Sequence, residues 1–154
     1  MPSGLRPLAA LLGTWRGEGH GEYPTIEPFD YGEEVTFSHV GKPFLAYAQR
    51  TWSLQTGAPL HAETGFWRPG GDGLLEVVLS HPFGAVEVLT GSVHDGALRL
   101  ASSAVVTTPT AQRIDGTERD VDVAGGTLHY TLRMAAAGHP MTHHLAAVLR
   151  RVQR

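Results

Sequence analysis

Charged and uncharged positions alternate from Gly13 to Tyr23 with the two-residue period of a β-strand. One face is polar and we expect it in solvent: Arg16, Glu18, His20 and Glu22. The other face has an aromatic residue at each end and glycines between them: Trp15, Gly17, Gly19, Gly21 and Tyr23. Glycine weakens a strand interior, so three in phase indicate a sharp barrel bend or the close approach of a backbone or a ligand. The pattern alone leaves these alternatives open.

Short alternating segments separated by turn signals continue along most of the chain. A helix is predicted only near the N-terminus, over Leu5 to Leu12, with Leu8, Leu11 and Leu12 facing inward. The segment from His143 to Arg154 suits either a helix or a strand. We predict the other strands over 31–40, 44–54, 60–67, 74–80, 85–93, 97–106, 112–123 and 127–134.

About ten strands with tight turns and almost no helix predict an all-β fold, an up-and-down antiparallel β-barrel of the lipocalin and fatty-acid-binding-protein kind with a short N-terminal helix. The interior of such a barrel is wide enough for a small ligand. The glycine face of the first strand would then face the cavity, because the four polar residues opposite could not all be buried without a large desolvation cost.

Composition narrows the class of protein. With 154 residues, 42% of them hydrophobic and 18% charged, the chain is predicted to form a single globular domain over 1–154. The net charge of -3, with acids and bases interspersed, argues against a nucleic-acid partner. The apolar runs are too short for a membrane span, and the N-terminus does not resemble a signal peptide. We therefore expect a cytoplasmic protein without a membrane partner.

Candidate chemistry rests mainly on the nine histidines, because the chain has no cysteine and no hydrolase, phosphate-loop or zinc-protease motif. His61 has Glu63 in phase on its strand, His81 ends a strand, and His143-His144 precede an apolar terminal segment. An imidazole in any of these places could ligate iron. The other five histidines are interpreted as solvated: His20, His39, His94, His129 and His139.

Two pairs of acidic residues could indicate acid–base catalysis. These are Glu33-Glu34 and the alternating pair Asp120 and Asp122. Because carboxylates are rarely buried, both pairs are interpreted as solvated strand edges.

Several segments in the same order resemble the nitrobindin family of heme-binding β-barrels. The first is Gly13-Xaa-Trp15-Xaa-Gly17-Xaa-Gly19, followed by Tyr23-Pro24-Thr25-Ile26. The resemblance spans nearly the whole chain and continues through Tyr31-Gly32-Glu33-Glu34, Phe37-Ser38-His39, Gly41-Lys42-Pro43, Ala46-Tyr47, the run from Leu60 to Pro69, and His144 to Leu149.

The resemblance implies a ten-stranded barrel that holds one heme b, usually ferric, near its mouth. It implies that the protein binds nitric oxide and isomerises peroxynitrite to nitrate, and it allows a homodimer. By motif position His144 is the implied iron ligand, rather than His143. Residues implied near the heme are Thr25, Leu60, His61 and Met134. Gln112-Arg113 stands where relatives often carry lysine, so Arg113 is a candidate partner for a heme propionate.

The residues fit this reading in two further ways. The three glycines would leave room for a flat group, and an apolar pocket with few acid–base groups would suit chemistry performed at the metal. Two other functions stay open: a heme-based nitric oxide carrier or sensor without turnover, and a lipocalin-like carrier of an apolar small molecule.

Overall fold

A computed structural model of the chain describes residues 1–153. Its ten strands form a closed antiparallel barrel in which each strand pairs with the next along the chain and β1 pairs with β10. The predicted barrel is therefore confirmed. The strands are β1 (Gly13–Tyr23), β2 (Ile26–Ser38), β3 (Leu45–Ser53), β4 (Pro59–Gly71), β5 (Leu74–His81), β6 (Ala85–His94), β7 (Ala97–Thr107), β8 (Ile114–Ala124), β9 (Thr127–Ala136) and β10 (Thr142–Arg151).

The predicted N-terminal helix is a 3₁₀ helix over Ser3–Leu11. Its buried side chains are Leu5, Leu8 and Leu11, whereas the predicted inward residue Leu12 is only partly buried. The three-residue spacing explains the difference, because side chains three apart line up on one side of a 3₁₀ helix. The helix packs against β4 and β6. Each buried leucine contributes about 1.5–3 kcal/mol of transfer free energy.

The predicted segment that begins at His143 is a strand rather than a helix as far as Arg151, and its last residue, Arg154, lies outside the described residues. β10 pairs with β1 from Gly17 opposite Leu149 to Gly21 opposite Leu145, and its other edge pairs with β9. Without it, both neighbouring strands would have unpaired backbone groups, so closure of the barrel selects the strand over the helix.

The glycine face of β1 does not form the ligand wall that the sequence indicated. A Cβ atom on Gly17 would lie 2.0 Å from the carbonyl oxygen of Val148 in β10. On Gly19 and Gly21 it would meet the rings of Tyr31 and Phe29, at 2.4 and 2.3 Å. The glycines thus allow close approach of a neighbouring backbone and two aromatic rings of β2. It is these rings, not the glycines, that line the cavity.

The core fills the helix end of the barrel. It includes Trp15, whose indole nitrogen donates a hydrogen bond to the Leu11 carbonyl oxygen at 2.8 Å, and the packed rings of Phe37, Tyr47 and Trp67. The same three rings also line a cavity in the barrel interior.

Candidate functional site

The cavity has a volume of about 600 Å³, within the usual range for pockets that hold small molecules and cofactors. Five residues predicted to contact a cofactor line it: Leu60, His61, Gln112, Met134 and His144. Within the described chain, the lining does not include the other two, Thr25 and Arg113. Thr25 is exposed in the turn between β1 and β2, next to the lining residue Ile26, and Arg113 is exposed and paired with Asp115.

His144 reaches the cavity because β10 is irregular at this point. The pairing of β10 with β9 shifts register between His143 and Leu145, so His144 is an extra residue in a β-bulge. In regular alternation Leu145, Ala147 and Leu149 would face inward and His144 outward. The bulge lets both His144 and Leu145 line the cavity, whereas His143 is exposed.

The two ring nitrogens of His144 have different surroundings. Nδ1 lies 2.9 Å from the backbone carbonyl oxygen of Glu22, an acceptor, so this nitrogen carries the proton of the neutral ring. Burial lowers the pKa of His144, partly offset by that hydrogen bond, and His143 and His61 lower it further. A neutral imidazole with its proton on Nδ1 has an unshared electron pair on Nε2.

Tyr23 holds the His144 ring from the side. The two rings meet edge to face, with centroids 5.3 Å apart. The Tyr23 hydroxyl donates to the Met134 carbonyl oxygen at 2.9 Å and accepts from the Ala136 amide at 3.1 Å. The aromatic residue that ends the glycine face therefore ties β1 to β9 and supports His144.

The deeper part of the cavity is more polar than the sequence indicated, so the expectation of few acid–base groups is wrong. Arg119 lies 2.7 Å from Glu63 and 3.2 Å from Glu87, and these side chains are at most 10% exposed. Burial raises the pKa of Glu63, but Arg119 and His61 outweigh it, and the net pKa is well below its usual range. Burial also raises the pKa of Glu87, but the hydrogen bond with His81 and the charge of Arg119 outweigh it and lower the pKa to about 2.

Glu33 corrects the interpretation of the first acidic pair. It is 2% exposed inside the barrel, where it accepts hydrogen bonds from Gln49, at 3.0 Å, and from Tyr130. Burial raises the pKa of Glu33 to about 7, although these hydrogen bonds lower it. Its neighbour Glu34 lies on the outer face beside Arg16, and there the interpretation as a surface residue holds.

His61 and His81 both line the cavity, with stacked rings whose centroids are 5.4 Å apart. His81 Nε2 lies 3.0 Å from a carboxylate oxygen of Glu87. Of the four histidines singled out in the sequence, the structure brings together His61, His81 and His144. The fourth, His143, is exposed and is not among the residues that line the cavity.

Sequence reasoning missed Glu33, Glu63, Glu87 and Arg119 as a buried group. The available signal was their phase, since each lies on the same face of its strand as a buried apolar residue two or four positions away. Glu87, for example, lies two residues from both Ala85 and Leu89, which are buried. A charged residue in such a position must either face the core or interrupt the alternation.

The chain is similar to known proteins over nearly its whole length. A family model described as the THAP4-like, heme-binding beta-barrel domain matches residues 4–151. The chain belongs to this family. The nitrobindin resemblance drawn from the motifs is thereby confirmed, as is the expectation of a heme-binding barrel.

Individual relatives agree over nearly the full length. A protein of Mycobacterium marinum named peroxynitrite isomerase 2 is 52% identical, and the match covers 98% of this chain and 99% of that protein. A protein of Nocardia farcinica named peroxynitrite isomerase is 51% identical, with 96% and 90% covered. The crystal structure of Rv2717c from M. tuberculosis superimposes with a TM-score of 0.93 at 43% identity, covering 99% of both chains.

The residues present fit a heme. The unshared pair of His144 Nε2 is a suitable iron ligand, and the cavity that His144 lines has many apolar side chains in its lining, among them Ile26, Phe29, Leu132, Met134 and Leu145. No helix within residues 1–153 is long and apolar enough to cross a membrane.

Proposed function

We propose that this protein binds one heme b through His144 and isomerises peroxynitrite to nitrate. The observation that carries the proposal is the hydrogen bond from His144 Nδ1 to the Glu22 carbonyl oxygen, since it leaves Nε2 available at the apolar part of the cavity. The names of the relatives from M. marinum and N. farcinica support the reaction.

The chain's own residues have three tasks in this mechanism. His144 would hold the iron, and the Glu22 carbonyl and the edge of Tyr23 orient its ring. Leu60, Met134 and the other apolar lining residues would exclude water from a bound heme, and Gln112, which is exposed at the cavity lining, would offer it a polar contact. When bound, ferric heme supplies the metal centre at which the O–O bond of peroxynitrite is rearranged.

The proposal includes nitric oxide as a ligand and the ferric iron as the resting state. Both rest on the family resemblance, and a neutral imidazole such as that of His144 is a ligand type that heme proteins use. Arg113 and Thr25 stay predictions as heme contacts. Arg113 donates from Nε to Asp115 at 3.0 Å, so a propionate would either compete with this carboxylate or bind the other guanidinium nitrogens.

The experiment is a stopped-flow measurement of peroxynitrite decay with the hemin-loaded chain, together with the nitrate yield. We expect the loaded protein to accelerate decay in proportion to its concentration and to raise the nitrate fraction, and the heme-free chain and His144→Ala to do neither. A Soret shift with nitric oxide but an unchanged decay rate would indicate a carrier or sensor. A hemin spectrum that the protein leaves unchanged would overturn the heme proposal and leave a carrier of another apolar molecule as the alternative.

A further inference from the structure

Three potential metal ligands converge beneath the cavity. His61 Nε2 lies 3.3 Å from Glu63 Oε1 and 3.4 Å from His81 Nδ1, and His81 Nδ1 lies 3.7 Å from Glu63 Oε1. The three atoms thus form a nearly equilateral triangle. His61 and Glu63 are two residues apart on β4, and His81 ends the neighbouring strand β5, so the sheet itself brings the atoms together.

The spacing is too wide for good hydrogen bonds and suits a metal ion. Charge-assisted hydrogen bonds between nitrogen and a carboxylate are usually about 2.7–2.9 Å long. An ion with bonds of about 2.0–2.1 Å to three ligands would separate them by roughly 3.3–3.6 Å. The observed triangle matches the second range more closely than the first.

We propose that His61, Glu63 and His81 form a second, non-heme site that binds one divalent first-row transition-metal ion of the zinc or iron(II) type. Two imidazole nitrogens and one carboxylate oxygen are the ligand set of both catalytic zinc sites and non-heme iron(II) sites, which keep further positions open for water or substrate. All three residues line the cavity, so an open position of the ion would face it. The proposal requires no heme.

The outer partners of the three ligands are those that a metal site needs. His81 Nε2 donates to Glu87 at 3.0 Å, so its Nδ1 carries no proton in the neutral ring and is free to bind the ion. Glu87 is held in turn by Ser102 and Thr117. On Glu63 the other oxygen, Oε2, accepts hydrogen bonds from Tyr47 at 2.9 Å and Arg119 at 2.7 Å, so Oε1 is left for the metal.

The charge of the pocket also favours a cation. Glu63 and Glu87 both contact the guanidinium of Arg119. The cluster thus has two acidic side chains for one permanently cationic side chain, and a bound cation would balance the second. The His61 side chain is 34% exposed, against 8% for His81 and 5% for Glu63, and therefore provides the path of entry.

The test is a titration of the full, tag-free, heme-free chain with Co²⁺, whose visible absorption reports its coordination. We expect one Co²⁺ per chain with the intense absorption of a low-coordinate site, and displacement by Zn²⁺. His61→Ala and His81→Ala should each lower the affinity at least about 100-fold. Glu87→Gln, which keeps every ligand but loses the carboxylate partner of His81, should lower it about 10–100-fold.

Two further histidine variants serve as matched controls. His143→Ala removes an exposed imidazole, and His144→Ala removes the proposed heme ligand, and both should bind Co²⁺ like the parent chain. Weak binding that is the same in the parent and in His61→Ala would overturn the proposal, as would loss of binding in His144→Ala alone. Because His61 is partly exposed, we expect His61→Ala to fold, and its Co²⁺ affinity tests the proposal even if His81→Ala does not fold. Failure of the metal site would leave the heme proposal intact, since the two are measured separately.

Discussion

His144 Nδ1 and the backbone carbonyl oxygen of Glu22 lie 2.9 Å apart, joining β10 to the end of β1 across 122 residues of sequence. The contact selects the tautomer of the histidine, and the bulge between His143 and Leu145 selects its direction. Both are properties of the barrel rather than of the local sequence, and together they make His144 the best candidate ligand in the cavity.

Replacing His144 should remove most of the heme affinity. Even outer partners of a metal ligand are worth about 10–100-fold in affinity, so we expect His144→Ala to lower hemin affinity by more than about 100-fold. Hemin titration followed at the Soret band measures this. His143→Ala is the matched control, because its side chain is exposed on the other side of the same bulge. Equal losses in both variants would contradict the assignment.

Glu33 should make stability fall as the pH rises. Burial raises the pKa of Glu33 to about 7 from the ordinary 4.5, so the folded protein keeps a proton that the unfolded chain releases. Its contribution is complete below the ordinary value and is lost as the pH rises through about 7. Relative to Glu33→Gln, the parent chain should lose on the order of 3 kcal/mol across this window. Urea unfolding of the heme-free chain at several pH values measures the difference.

Glu34 is the control for this pH dependence, with the opposite sign. A hydrogen bond from Arg16 lowers the pKa of Glu34, so its contribution is lost as the pH falls. The stability difference between the parent and Glu34→Gln should therefore become smaller as the pH falls below the ordinary pKa of a glutamate. It should stay constant between pH 4.5 and 7, where the contribution of Glu33 is lost. A parallel pH profile for the two variants would contradict the buried position of Glu33.

Arg119 should be essential for stability. Its removal leaves Glu63 and Glu87 buried without their guanidinium partner, and breaking a buried ion pair usually costs about 3–5 kcal/mol. We expect a loss of this size for Arg119→Met in urea unfolding of the heme-free chain. Arg99→Met is the control: Arg99 pairs with Asp120 and Asp122 outside the barrel and is about half exposed, so its loss should cost less than about 1 kcal/mol.

Gly17 should not tolerate even a methyl group. An added Cβ would lie 2.0 Å from the Val148 carbonyl oxygen, which belongs to a paired backbone and cannot simply turn away. We expect Gly17→Ala to destabilise the chain by about 1–3 kcal/mol or more. Thermal unfolding followed by circular dichroism measures the change. Glu18→Ala, on the outer face of the same strand, should have little effect, and similar losses in both variants would argue against close strand contact.

Local pattern predicted the positions of most strands and the first residue of several, among them Leu74, Ala85 and Ala97, but it did not predict where β2 begins. The strand predicted over 31–40 begins at Ile26, directly after the turn that pairs Tyr23 with Ile26. Its start depends on β1, which offers backbone partners as far as Tyr23. The interpretation of Glu33 and Glu34 as a solvated pair was wrong for a related reason. Alternation places one of two adjacent strand residues inside the barrel, and the buried Glu33 carboxylate is satisfied by hydrogen bonds from Gln49 and Tyr130, which belong to other strands.

The sequence by itself determined the architecture and the family. Both can be recognised from local features of the chain, namely strands with alternating faces, turn signals, and motifs in a characteristic order. Only the tertiary structure decided what lies next to what. It filled the space over the β1 glycines with Tyr31, Phe29 and the backbone of β10. It turned His144 inward through a bulge and gathered His61, Glu63 and His81 within reach of one ion. Most of these relationships join residues of different strands, so they form only when the barrel brings those strands together.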